Sequence, residues 1–173
     1  NPRRRVESGN ASKTTDFIYH IDTAKWIVHQ LADETITGIG TIDRTFNANG
    51  NLTRENRYGV ITDYTYLTSG DLSTVRDARL NTTTFSSYSR GVARTEQHPE
   101  SVSITRTVDG FGNILSVTDG ELHRTTYTYD GINRLLTIGF PTGSPVSIVW
   151  GTTTRAVTRG TYSETTNFDG YAR

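Results

Sequence analysis

Apolar and polar residues alternate with a period of two along much of this chain. Thr62-Asp63-Tyr64-Thr65-Tyr66 and Thr125-Thr126-Tyr127-Thr128-Tyr129 are two such runs, and Leu72, Thr74 and Arg76 alternate with Ser73, Val75 and Asp77. Successive side chains of an extended chain point to opposite faces, so this pattern predicts strands with one face covered. Phe17-Ile18-Tyr19-His20-Ile21 and Trp26-Ile27-Val28-His29 are further strand-like runs, joined by Asp22-Thr23-Ala24-Lys25. Residues 24–34 contain the one stretch with helical spacing, at Ala24, Ile27, Val28 and Leu31. Only Asp22 could cap a helix there, and the strand reading is preferred. Residues 1–13 are polar and are expected to form a flexible N-terminal segment.

Beyond residue 40 the pattern repeats. Four segments align: Phe46-Asn47-Ala48-Asn49-Gly50-Asn51-Leu52, Tyr66-Leu67-Thr68-Ser69-Gly70-Asp71-Leu72, Val108-Asp109-Gly110-Phe111-Gly112-Asn113-Ile114 and Tyr129-Asp130-Gly131-Ile132-Asn133-Arg134-Leu135. A fifth, Phe168-Asp169-Gly170-Tyr171-Ala172-Arg173, is cut by the end of the chain. The consensus is an aromatic, Asp or Asn, two variable residues, Gly or Asn, a polar residue, then Leu or Ile. The starts at 46, 66, 108, 129 and 168 are separated by 20, 42, 21 and 39 residues, which is one, two, one and two repeats of 20 or so. Phe85 and Trp150 stand where the leading aromatics of the two unmarked repeats belong. This internal periodicity decides the fold.

Each repeat must reverse the chain. Asp or Asn at the second position can bond backbone two residues on and start a turn. Gly at the fifth position can take positive φ without a Cβ clash, and Asn133, which replaces it once, is the next most tolerant residue type. Each repeat thus reads as a β-hairpin of two strands of about ten residues. Isolated hairpins are marginal in water, whereas stacked ones bury their aromatics against neighbours. Residues 14–173 form such an array, of seven or eight repeats with the last truncated.

Composition supports the all-β reading and narrows the chemistry. Threonine is the loudest signal, at 31 residues, and suits a half-exposed pleated surface. Lys plus Arg and Asp plus Glu are 18 each, so no net charge attracts nucleic acid or an anionic membrane. Sixteen of the 18 basic residues are Arg, which pairs laterally with carboxylates on a sheet. Cysteine is absent, which removes disulfides, thiolate metal sites and thiol nucleophiles. Methionine is also absent and the chain begins Asn1-Pro2-Arg3, as expected of a piece of a longer protein. No apolar run is long enough to span a membrane as a helix, and no signal peptide is visible.

Tyr129-Asp130-Gly131-Ile132-Asn133-Arg134-Leu135, with Thr125-Thr126-Tyr127-Thr128 before it, resembles the YD repeat, whose usual form reads Tyr-Asp-x-x-Gly-Arg-Leu. Asn113-Ile114-Leu115-Ser116-Val117-Thr118-Asp119-Gly120 is similar to the same family. Phe46-Asn47 and Tyr66-Leu67 depart from it. The resemblance covers residues 15 to 173 and extends to RHS proteins of bacteria, shell components of insecticidal toxin complexes, and teneurins. It implies stacked antiparallel β-hairpin repeats forming an extended curved sheet, a segment of an RHS-type β-shell. It also implies a structural role in a secreted or surface bacterial protein, with the parent polypeptide and an enclosed C-terminal, toxic region as partners. The family's self-cleavage core of aspartate-proline-x-glycine has no counterpart here, since no Asp-Pro pair occurs.

Candidate chemistry is sparse. His20, His29, His98 and His123 lack metal-ligand spacing, and only His20 and His29 are close enough to lie across one hairpin. Asp33-Glu34, and Asp77, Asp109, Asp119 and Asp130, are explained as sheet and turn residues. No nucleophile elbow or phosphate loop is present, so no catalytic, cofactor or metal residue is assigned. Three Asn-x-Ser/Thr sequons, at Asn10, Asn51 and Asn81, match chance. Trp26 and Trp150 are the candidate ligand residues, as stacking platforms in an alternative reading as a carbohydrate-binding or adhesion module. Buried cross-strand packing is the competing role for both, and for the Tyr-x-Tyr pairs. Unpaired sheet edges would also invite pairing with a second copy.

Overall fold

The computed structural model describes residues 3–8 and 12–169. The chain forms two compact units, residues 1–84 and 85–173. The first contains β1 (Arg4–Glu7), β2 (Lys13–Asp22), β3 (Ile27–Ile36), β4 (Gly40–Phe46), β5 (Leu52–Arg57), β6 (Val60–Tyr66), β7 (Leu72–Arg76) and the first three residues of β8 (Thr82–Ser86). Each strand pairs antiparallel with the next. The second contains β9 (Thr95–Gln97), β10 (Ser103–Val108), β11 (Ile114–Thr118), β12 (Arg124–Tyr129), β13 (Leu135–Gly139), β14 (Val146–Trp150), β15 (Thr154–Arg159) and β16 (Tyr162–Asn167). They too pair antiparallel in chain order. The fold is all-β and built of successive hairpins, as the repeat pattern implies.

Three local expectations need adjustment. In residues 24–34, β3 is strand, but the bend before it is a single 3-10 turn, Thr23–Lys25. The Asp22 carboxylate caps that turn by accepting from the Ala24 N–H at 3.1 Å. Within the segment expected to be flexible, Arg4–Glu7 is a strand paired with Asp16 to Lys13. An Arg4–Asp16 ion pair at 2.6 Å and the Phe17 N–H to Arg3 carbonyl bond at 2.9 Å hold it. Strands of the signature hairpins run five to seven residues, not ten, because turns at both ends consume the remainder.

The interior is thin. Among the described residues Ile42 is the one buried apolar residue, at 4% exposure, and Thr15 and Ser116 are the buried polar ones. Stability therefore comes from the backbone ladders and cross-strand pairs. A hydroxyl pair recurs beside the signature turns: Thr45–Thr53 at 3.2 Å, Thr65–Thr74 at 2.7 Å, Thr107–Ser116 at 2.7 Å and Thr128–Thr137 at 2.7 Å. Such pairs contribute roughly 0.2–1 kcal/mol each.

Candidate functional site

The signature turn has one geometry in repeated copies. In Asp109–Asn113 the Gly112 N–H bonds the Asp109 carbonyl, and the Asp109 N–H bonds the Asn113 carbonyl. The Asp109 carboxylate accepts from the N–H groups of Phe111 and Asn113, both at 2.9 Å. Asn47 and Asp130 make the same two bonds four and two residues on. The fifth position has φ of 81° at Gly50, 91° at Gly70, 96° at Gly112 and 64° at Asn133. The ladder slips by one residue just before each leading residue, at Phe46, Tyr66, Val108 and Tyr129. This is a type I turn closed by a left-handed residue and a bulge. The second copy has Leu67 at the carboxylate position; there Ser69 Oγ instead bonds Asp71 at 2.9 Å. Residues 170–173 of the fifth copy, Ala172 included, lie outside the described residues.

Three leading aromatics reach the preceding repeat, two of them, Tyr66 and Tyr129, directly after the bulge. Tyr66 donates its hydroxyl to the Leu52 carbonyl at 2.7 Å, and Tyr129 donates to the Ile114 carbonyl at 2.9 Å. Trp150 donates its indole N–H to the Leu135 carbonyl at 2.8 Å. Each acceptor is the seventh residue of the signature before it, so every such bond clasps one repeat to the last. Burial raises the pKa of Tyr66 and Tyr129 above the ordinary phenol value, which keeps both as donors. The sixth position reaches forward as well. Asn113 Nδ2 bonds Asn133 Oδ1 at 2.8 Å, and the Arg134 guanidinium lies 5.2 Å from the centroid of the Trp150 ring. Sequence reasoning put Trp150 at a leading-aromatic position and did not find the clasp. Its signal was a spacing of 14 to 15 residues between a signature's Leu or Ile and the next aromatic.

The turn carboxylates Asp77, Asp109, Asp119 and Asp130 are engaged by backbone N–H donors. Asp77 and Asp119 accept backbone bonds in Asp77–Asn81 and Asp119–His123, which repeat the signature turn with Leu80 and Leu122 in the left-handed position. The Asn81 and Asn113 side-chain amides lower the pKa of Asp77 and Asp109, and the Arg134 backbone N–H lowers that of Asp130. Asp63 is held between Arg54 at 2.6 Å and Arg76 at 2.7 Å across β5, β6 and β7. Hydrogen bonds from these two guanidiniums bring its pKa down to about 2. Asp33 stands opposite Asp43, and Glu34 opposite Ile42.

The histidines do not converge. His20 pairs with Gln30 rather than His29, and its ring stacks on Phe46 at 5.8 Å. His98 meets Glu96 at 3.0 Å, and His123 lies near Asp119 and Glu121. Among the described residues, no group of three His, Cys, Asp or Glu side chains is arranged to hold a metal. The two tryptophans sit in different surroundings. Trp26 follows the 3-10 turn at φ 57° with its side chain 88% exposed. Trp150 is half-buried, with its N–H engaged and Arg134 over its ring.

Hairpins stacked in chain order, with clasps to the preceding repeat at Tyr66, Tyr129 and Trp150, form a β-hairpin repeat array. Residues 108–145, spanning the third and fourth signatures, match the RHS repeat model. No curated protein matches the chain. The crystal structure of TcdB2-TccC3-Cdc42 aligns with a TM-score of 0.60 at 15% identity, over 92% of this chain and 10% of that one. TcdB2-TccC3 without its hypervariable C-terminal region aligns with a TM-score of 0.60 at 14% identity, over 92% and 10%. The Tc holotoxin pore of Photorhabdus luminescens gives 0.54 at 13% identity, over 90% and 11%. At these identities the likeness is one of fold. The chain spans about a tenth of the length of the structures it matches. No helix among the described residues is long and apolar enough to cross a membrane.

Proposed function

We propose that this chain is a wall segment of a larger secreted or surface bacterial RHS-type protein, acting by structure and not by catalysis. The repeated clasp from a leading aromatic to the previous repeat's Leu or Ile carbonyl is the observation that carries this reading. It makes one hairpin the template for the next at three places along the array, and a sheet built this way can be extended by further repeats. The outer edges of β1 and β16 would then pair with further strands of the parent polypeptide. The wall would separate an enclosed C-terminal region, of toxic character, from its surroundings. Limited proteolysis of the full-length parent, read by intact mass, tests this. A C-terminal piece that is cleaved free yet stays protected until the wall unfolds supports it. Immediate digestion of everything beyond the repeats overturns it.

Trp26 favours a second reading, a glycan-binding or adhesion surface on the same repeats. Trp26 is largely exposed, at a left-handed backbone position next to the 3-10 turn. A fluorescence shift on adding oligosaccharides, lost in Trp26→Phe, would support that reading. A shift unchanged by that substitution removes Trp26 from it.

A further inference from the structure

Of the ten asparagines in the chain, Asn49 is the one followed by a glycine. It holds the fourth position of the first signature, Phe46 to Leu52. The residue is exposed, and its side-chain amide has no hydrogen-bond partner among the described residues. Its backbone N–H donates to Asn47 Oδ1 at 2.9 Å. The turn is closed by the Gly50 N–H on the Asn47 carbonyl and by the Asn47 N–H on the Asn51 carbonyl, both at 2.9 Å. Gly50 stands at φ 81°, and without a Cβ its own side chain shields its backbone nitrogen on neither side. An uncovered side-chain carbonyl carbon and an unshielded backbone nitrogen are thus one residue apart. The neighbouring candidates lack this combination. Asn51, Asn113 and Asn133 precede Leu52, Ile114 and Arg134, and the Asn113 and Asn133 amides bond each other at 2.8 Å. Asp109, Asp119 and Asp130 also precede glycines, but each carboxylate accepts two backbone N–H bonds, and an ionised carboxylate is a poor electrophile.

We propose that Asn49 is a modification site, where spontaneous deamidation isomerises the backbone, with water as the co-reactant. The Gly50 nitrogen loses its proton and adds to Asn49 Cγ. A C–N bond forms, and the side-chain nitrogen leaves as ammonia. Water then opens the cyclic imide at one of its two carbonyls. One opening leaves aspartate, and the other leaves isoaspartate, in which the main chain runs through the side-chain methylene. Nothing is oxidised or reduced, and each product carries one new negative charge. Ring closure requires the Gly50 N–H to release the Asn47 carbonyl, so the folded turn slows the reaction by the opening of one exposed bond.

The isoaspartate product bears on the fold because this turn is counted in residues. An extra backbone carbon between Asn49 and Gly50 lengthens the path that the bonds from Asn47 to Gly50 and Asn51 must span. The Gly50 carbonyl also accepts from the Gln30 side-chain amide, and the Ala48 carbonyl from the Lys25 ammonium. The same change therefore loosens the turn from Lys25 and from β3.

The test ages the whole chain in mildly alkaline buffer, maps its peptides by mass, and labels isoaspartate with a protein isoaspartyl methyltransferase and a radioactive methyl donor. Exchange of amide for carboxylate is expected at Asn49 before any other asparagine, with isoaspartate among the products. Asn49→Gln has no side-chain bond to lose, so it should keep the melting temperature of the fresh chain and lose the methyl label. After ageing, the unsubstituted chain should melt below Asn49→Gln treated alike. Asn49 left intact while other asparagines convert, aspartate formed without isoaspartate, or a label undiminished in Asn49→Gln would each overturn the proposal.

Discussion

Leu80 and Leu122 adopt φ of 68° and 65°, in the position that Gly or Asn fills in the signature turns. A residue with a Cβ incurs about 1–2 kcal/mol there. Leu122 is 83% exposed and so regains little by burial. Leu122→Gly should stabilise the chain by about 0.5–1 kcal/mol after the added unfolded-state entropy of glycine, raising the melting temperature by about 2 °C. A lower melting temperature would show that the leucine is held by contacts that outweigh its strain. The turns at Gly50, Gly70, Gly112 and Asn133 were legible because glycine and asparagine announce positive φ. Those at Leu80 and Leu122 were only half legible. Asp77 and Asp119 marked them as turns, but leucine gives no sign of a left-handed backbone. The spacing of four from Asp to Asn81 or His123, shared with Asp109 and Asn113, was the usable signal.

Between elements, polar groups do the work that a deep core does elsewhere. Tyr129→Phe removes one clasp and leaves the Ile114 carbonyl without that donor. A loss of about 1 kcal/mol is expected by denaturant unfolding, the usual net worth of one hydrogen bond. No loss would mean that the phenol oxygen is replaced by water at no cost. Asp63 ties β5, β6 and β7 together, with a folded pKa of about 2 against an ordinary 3.8. Because the folded value is the lower one, its contribution is fully present above pH 4 or so and lost as pH falls through 2. Asp63→Asn should lower the melting temperature at neutral pH and flatten its decline between pH 4 and 2; an unchanged decline would sink this assignment. Sequence reading found the aromatics and strands that build these contacts. It could not find their acceptors, because a period-2 pattern specifies a face and not a register. The strand at Arg4–Glu7 was missed for the same reason: its four residues carry one apolar side chain, and the register that sets Arg4 opposite Asp16 leaves no local pattern.

At the scale of the whole molecule, stability resides in neighbour-to-neighbour contacts rather than in a shared core. A repeat array of this kind should lose order in the direction its clasps run. The second unit offers the cleanest case, since β10 to β13 contain two consecutive signatures linked by Tyr129 and Asn113. Gly112 has φ 96°, and a Cβ there would lie 3.3 Å from that of Arg90, so Gly112→Val both strains the turn and crowds its surroundings. Native-state hydrogen exchange on Gly112→Val is the most direct measurement. Protection should fall at β10 and β11 and also at β12 and β13, with the Tyr129 and Leu135 amides opening alongside the damaged turn. If the loss stays confined to β10 and β11 while β12 and β13 keep wild-type protection, the hairpins stand independently and the clasped-wall account is wrong.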